Sequence, residues 1–174
     1  MHEWFAELAS WAWARHHNVL SWYVRPLFLL PFCFFAYRRG LVGIAVTLVA
    51  LVTSMAWFPA PARPDPAVVE MLQVERDYLL GAWTVGKIVI ALLVPVVFGG
   101  IAVALWRRSI GWALVVINGA VLFKVAWTCF FDAEGAGADA HLPAALVGLS
   151  IVDVALVLAI RWLRRRHAEP VGVR

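Results

Sequence analysis

Four ionisable side chains lie in stretches that otherwise read as apolar helix: Arg25, Lys87, Lys124 and Asp153. Asn118 and Ser150 add an amide and a hydroxyl in the same surroundings. A charge within a membrane span costs roughly 2.5–3.5 kcal/mol on insertion scales, so it needs a partner, water or a function. Lys124, in "AVLFKVAW", and Asp153, in "LSIVDVAL", are of opposite sign. At about 1.5 Å per helical residue their depths differ by about one turn, a gap a lysine stem can bridge. Ser150 lies one turn from Asp153 on the same helical face. Lys124 and Asp153 are therefore expected to pair between two helices. Such a pair either fixes helix registry or faces a polar cavity. Arg25 and Lys87 bring the total to three cations against one internal acid. A converging set of that sign suits a small anion or an anionic lipid headgroup, for which arginine offers a bidentate fork to carboxylate or phosphate. The expected binding residues are Arg25, Lys87, Asn118, Lys124, Ser150 and Asp153. For Arg25 and Lys87 the plain alternative is that they snorkel to a membrane interface.

Other chemistries find less in the chain. His16, His17 and His141, with Asp132, Glu134 and Asp139, carry no ligand spacing, so no metal site is assigned. The apolar segments hold no histidine, which argues against a bis-histidine haem. Zinc-protease, P-loop and Rossmann signatures are absent. A Ser–Lys dyad of Lys124 with Ser150 or Ser54 rests on residue type alone. No catalytic residue and no cofactor are assigned. Cys33 and Cys129 form no C-x-x-C pair and are expected near opposite faces, so no disulfide is expected between them.

The elements that must position these residues follow from composition. The chain has 174 residues, 63% hydrophobic and 15% charged. A soluble domain carries about a quarter charged residues, so the class is a polytopic membrane protein. Five apolar segments, about 19–37, 41–59, 86–106, 110–131 and 143–162, approach the ~20 residues a bilayer needs. The expected fold is an all-α bundle of five membrane helices in a single domain, 1–166, with a short tail, 167–174. The first segment contains Arg25-Pro26 and Pro31 and is expected to kink; a four-span reading would make 19–37 re-entrant.

Arginines mark the ends. "YRRG" joins spans 1 and 2, "WRRS" joins spans 3 and 4, and "RWLRRRH" follows span 5. All three fall on one side, which the positive-inside rule makes cytoplasmic. The N-terminus is then outside and the C-terminus inside, most simply in a bacterial cytoplasmic (inner) membrane. The net charge of +4 is thus a topology signal, and no nucleic-acid partner is expected. Trp22, Trp57, Trp83, Trp106 and Trp162 sit at span ends as an aromatic belt would.

Two helices are expected outside the spans. Residues 1–18 begin with acidic charge and lack a continuous apolar core, so they do not read as a signal peptide. Trp4, Leu8 and Trp11 share one side there, predicting an amphipathic interfacial helix. In the connection after span 2, Asp65-Pro66 reads as N-cap and first-turn proline and Gly81 as a stop, predicting a helix over 65–80. The stretch "DAEGAGADAHLP" reads as a flexible loop. Small residues, Gly43, Thr47, Ala50 and Ser54 in span 2 and Ala91, Pro95, Gly99 and Ala102 in span 3, are expected to line the bundle interior. No internal repeat is apparent.

In length, span number and tryptophan content (ten in the chain) the sequence resembles the tryptophan-rich sensory (translocator) proteins. The resemblance is one of composition. "WFPAPARP" around Trp57 does not match that family's Trp-Pro-rich motif, and no family is assigned.

The leading functional expectation is binding or transport of a small anionic solute or lipid headgroup through an outward polar cavity. A non-catalytic subunit or assembly factor of a larger membrane complex is the second, its surfaces docking a membrane-protein partner or a second copy. A membrane enzyme at the outer leaflet is the third.

Overall fold

The structure, a computed structural model, describes residues 2–131 and 138–168. The described chain is helical: α1 (His2–His16), α2 (Val19–Leu27), α3 (Leu29–Tyr37), α4 (Leu41–Thr53), α5 (Pro66–Leu80), α6 (Val85–Trp106), α7 (Ile110–Phe131) and α8 (Ala138–Ala168), with a 3-10 turn at Ser54–Ala56. Three stretches are long and apolar enough to cross a membrane: Val19–Tyr37, Val85–Trp106 and Leu142–Leu163. Leu41–Ala56 is apolar but shorter, and α7 is apolar over the described part Ile110–Ala126. The chain therefore has the make-up of a membrane helical protein, with three full-length candidates among the described residues against the five expected. The second segment falls short at its end. There the Thr53 hydroxyl donates to the Val49 carbonyl at 2.9 Å and the Ser54 hydroxyl to Leu51 at 2.6 Å. Pro59 and Pro61 follow and cannot continue a helix.

The expected loop 132–143 is partly helix, since α8 begins at Ala138. Positions 132–137 and the tail beyond 168 lie outside the described residues.

The kink in the first segment falls after Pro26, which has no N–H to give the preceding turn. The chain closes a tight turn there, the Phe28 N–H donating to the Arg25 carbonyl at 3.1 Å, and α3 starts at once. The Pro26 ring rests on Gly148 of α8, where a Cβ would overlap it. That glycine is what lets α2 and α8 approach.

The main core joins Phe32, Cys33 and Ala36 of α3, Ile101, Ala104 and Leu105 of α6, Ile110, Ala113 and Ile117 of α7, and Val152 and Leu156 of α8. It lies toward the end carrying the paired arginines. Span 2 packs with its small residues inward: Thr47 and Ser54 are buried, and Gly43 receives the Phe35 ring. The expectation for span 3 is overturned. Ala91, Pro95 and Gly99 are exposed, and a Cβ at Gly99 would meet open space. The packing face of α6 is instead Ile101, Ala104 and Leu105, which join the core shared with α3 and α7.

The arginine turns share a device that the sequence reading missed. "YRRGL" and "WRRSI" both read aromatic, Arg, Arg, small, aliphatic. In each, the second arginine takes positive φ, 59° at Arg39 and 61° at Arg108. Each turn also makes the two backward bonds of a Schellman cap: Gly40 N–H to Phe35 O (2.9 Å) and Arg39 N–H to Ala36 O (3.1 Å), then Ser109 N–H to Ala104 O (2.9 Å) and Arg108 N–H to Leu105 O (2.8 Å). The turns also reach for one another. Arg39 donates to the Trp106 carbonyl at 3.1 Å, while the Arg108 guanidinium lies 4.3 Å over the Tyr37 ring. Non-glycine residues in the left-handed region cost about 1–2 kcal/mol. The reciprocal side-chain contacts offset that here.

Candidate functional site

At the opposite end of the bundle a second, smaller core forms from Trp22, Val68, Leu72 and Ala144, with Trp13 and Met71 packed against it. Asn18 builds its floor. Its side chain caps α2 by accepting from the Leu20 N–H at 3.0 Å and donates to the Pro59 carbonyl at 2.9 Å. Arg15 donates to the Phe58 carbonyl at 3.2 Å. These bonds pin the α1–α2 corner to the turn after α4, and Trp22 with Ser21 is buried beneath it. Trp22 was read as part of an aromatic belt; its indole N–H instead donates to the His16 carbonyl at 3.2 Å inside this core.

His16, the last residue of α1, is 4% exposed. Trp13 and Trp22 present edges to its ring, centroids 5.7 Å and 6.2 Å away. One ring nitrogen, Nδ1, lies 3.4 Å from Arg25 Nη2. A guanidinium can only donate, so Nδ1 accepts and Nε2 carries the proton. Nε2 in turn faces Glu75 of α5, 3.8 Å from Oε2. The contact becomes an ion pair when the imidazole is protonated.

Glu75 reaches His16 because α5 docks by one face. Asp65 caps that helix, accepting from the Ala67 N–H at 2.9 Å, with Pro66 in the first turn. Val68 and Leu72 are its buried residues. Glu75 continues their row at helical spacing. The carboxyl is held below the ordinary glutamate range. The polar contact with the His16 N–H is the largest cause, partial burial works against it, and positive charge at His16 when protonated, at Arg25 and at Lys124 adds to it. Arg25 and Lys124 thus belong to one electrostatic neighbourhood with Glu75 at its centre.

The six residues expected to bind separate into different places. Arg25 and Lys124 both act electrostatically on Glu75, and Arg25 contacts His16 beside it. Asn118 and Asp153 meet elsewhere, the Asn118 amide donating to Asp153 Oδ1 at 3.1 Å and to its own helix at Leu114 at 3.0 Å. The expected Lys124–Asp153 ion pair is not found among the described residues. Lys124 lies about 9 Å further along α7 than Asn118 and on another face. Ser150 is exposed and donates to Leu146 of its own helix at 2.8 Å. Lys87 is buried at 7% exposure and caps the C-terminus of α5. Its ammonium donates to the Tyr78 carbonyl and to Gly81 at 3.0 Å, between the Tyr78 and Trp83 rings at 4.6 Å and 4.7 Å.

The chain matches no family model, no curated protein and no solved structure. Its own geometry carries the functional reading.

The sequence reading overlooked Glu75 and considered His16 only for a metal site that was not assigned. The signal for Glu75 was present: Val68, Leu72 and Glu75 recur at i, i+4 and i+7, which sets a carboxylate in the apolar row of an amphipathic helix. No spacing announced His16, whose burial depends on Trp13 and Trp22 closing around it.

Proposed function

We propose that this chain is a small membrane protein that binds, and passes across the bilayer, a small anionic solute or lipid headgroup at its α5 end. The observation that supports this is the His16–Glu75 contact, with Arg25 on the other side of the imidazole and the positive charges of Arg25 and Lys124 both acting on that carboxylate. Cations gathered from α2 and α7 at one point make a site of anion-binding sign. In this reading α2–α3, α4, α6, α7 and α8 are five spans. The arginine turns face the cytoplasm by the positive-inside rule, and the N-terminus and α5 lie outside. Trp4, Leu8 and Trp11, all exposed on one side of α1, then rest in the outer interface.

The experiment is flux of a small organic anion into proteoliposomes. Lys124→Met abolishes flux while helix content and unfolding temperature hold. Equal flux in wild type and variant removes the reading.

One observation favours the subunit reading as a second. The α5-end half of α6 is exposed on most sides, with Val85, Val89, Leu92, Val94 and Val96 all more than half exposed. A helix so little covered by its own bundle is a surface for another membrane protein. Co-purification with a stoichiometric partner in mild detergent would favour this alternative, and clean isolation of the chain alone would count against it.

A further inference from the structure

The anion-binding site proposed above is already occupied, by a group the protein supplies itself. We propose that Glu75 stands in for the ligand, that the ligand is therefore a carboxylate, and that its binding frees α5 from the site. This rests on the anion-binding reading and adds the chemical class and the gate.

Three features converge. The first is charge and shape: His16 faces a planar monoanion through Nε2–H at 3.8 Å and accepts from Arg25 at its other nitrogen, while the charges of Arg25 and Lys124 favour the ionised carboxylate. A ligand carboxylate replaces it charge for charge and accepts from the same imidazole. The second is the weak seating of α5. Only Val68 and Leu72 are buried along it, whereas Val74, Tyr78, Leu79 and Leu80 are exposed. A helix with so few buried contacts opens more readily than a core helix. The third is its mounting. Pro59, Pro61, Pro64 and Pro66 stiffen the chain before α5, and Lys87 grips the carbonyls of its last turn. Release of Glu75 can thus swing the helix about the Lys87 end without unfolding it. The Glu75 side chain is 42% exposed, so an incoming anion has a path to the group it must displace.

The test uses the full chain in lipid nanodiscs at constant ionic strength, with acetate and inorganic phosphate as probes. Radiolabelled probe gives binding, and hydrogen exchange over residues 66–80 gives the state of α5. The expected result is acetate binding in the wild type with several-fold faster exchange over 66–80 at saturation. In Glu75→Gln, exchange there is fast without ligand. Acetate also binds about tenfold tighter or more, because a minor open state of 10% or less no longer limits it. Asp77→Asn, on the exposed side of α5, behaves as wild type. If Glu75→Gln does not fold, Glu75→Asp, which withdraws the carboxylate by one methylene, serves the same comparison. Phosphate binding without acetate binding overturns the carboxylate assignment and leaves an anion site standing. Acetate binding with unchanged exchange over 66–80, or no tighter in the variant, overturns the displacement. Binding of neither probe in either protein overturns the anion-binding reading together with this one.

Discussion

His16 Nε2 stands 3.8 Å from Glu75 Oε2, joining the last residue of the N-terminal helix to a helix nearly sixty positions later. On its other side the same ring accepts from Arg25. One imidazole therefore carries α1, α2 and α5 together, and the cation on α7 feels the same carboxylate. The consequences are open to measurement.

The docking of α5 should weaken in acid. Glu75 has a folded-state value below its unfolded one, so its contribution is complete above about pH 4.3 and is lost as pH falls through the lower folded value. Hydrogen exchange over residues 66–80 should differ between wild type and Glu75→Gln by a constant amount above about pH 5. The difference should shrink below about pH 4. A difference that grows on acidification would contradict the sign.

Lys87 should matter to one end of one helix. Lys87→Met removes the donor to the Tyr78 and Gly81 carbonyls. Losing a charged donor of this kind costs about 1.5–3 kcal/mol. The loss should appear as faster exchange confined to residues 78–81, with the melting of the bundle little changed.

Gly148 and Gly99 should respond oppositely to the same change. Gly148→Ala drives a Cβ into the Pro26 ring and separates α2 from α8. Overpacking of this kind costs about 1–3 kcal/mol, so the unfolding temperature in detergent should fall. Gly99→Ala enters open space and replaces the poorer helix former. It should be neutral or stabilising by up to about 1 kcal/mol.

Asn118 and Asp153 should couple as an ordinary membrane hydrogen bond. A double-mutant cycle with Asn118→Leu and Asp153→Leu should return about 0.6–2 kcal/mol. A value near zero would mean that the 3.1 Å contact does not hold in the bilayer.

The elements were legible because each has a local cause. Asp65-Pro66 and Gly81 bracket α5 as read, the proline marks the bend in the first segment, and the arginine pairs mark turns. The site was legible in part. Arg25 and Lys124 were singled out because charge in apolar helix is conspicuous, and the charges of both act on Glu75. Lys124 was expected to pair with Asp153, and that ion pair is not found among the described residues. Depth along a span follows from counting residues, but the face a side chain presents depends on how neighbouring helices rotate. Asn118 meets Asp153 from α7, whereas Lys124 lies about 9 Å further along that helix and on another face. The repeated arginine turns went unread because their likeness lies in backbone conformation and reciprocal contacts, with only five residues of sequence behind each.

The central claim is that the cations gathered around Glu75 form an anion-binding site. Equilibrium binding of radiolabelled acetate and phosphate to the full chain in nanodiscs, wild type against Arg25→Gln, tests it most directly. The account predicts saturable binding of an anion by the wild type, weakened at least about tenfold in the variant, or about 1.4 kcal/mol, with the unfolding temperature retained. Equal affinity in the two proteins would contradict it.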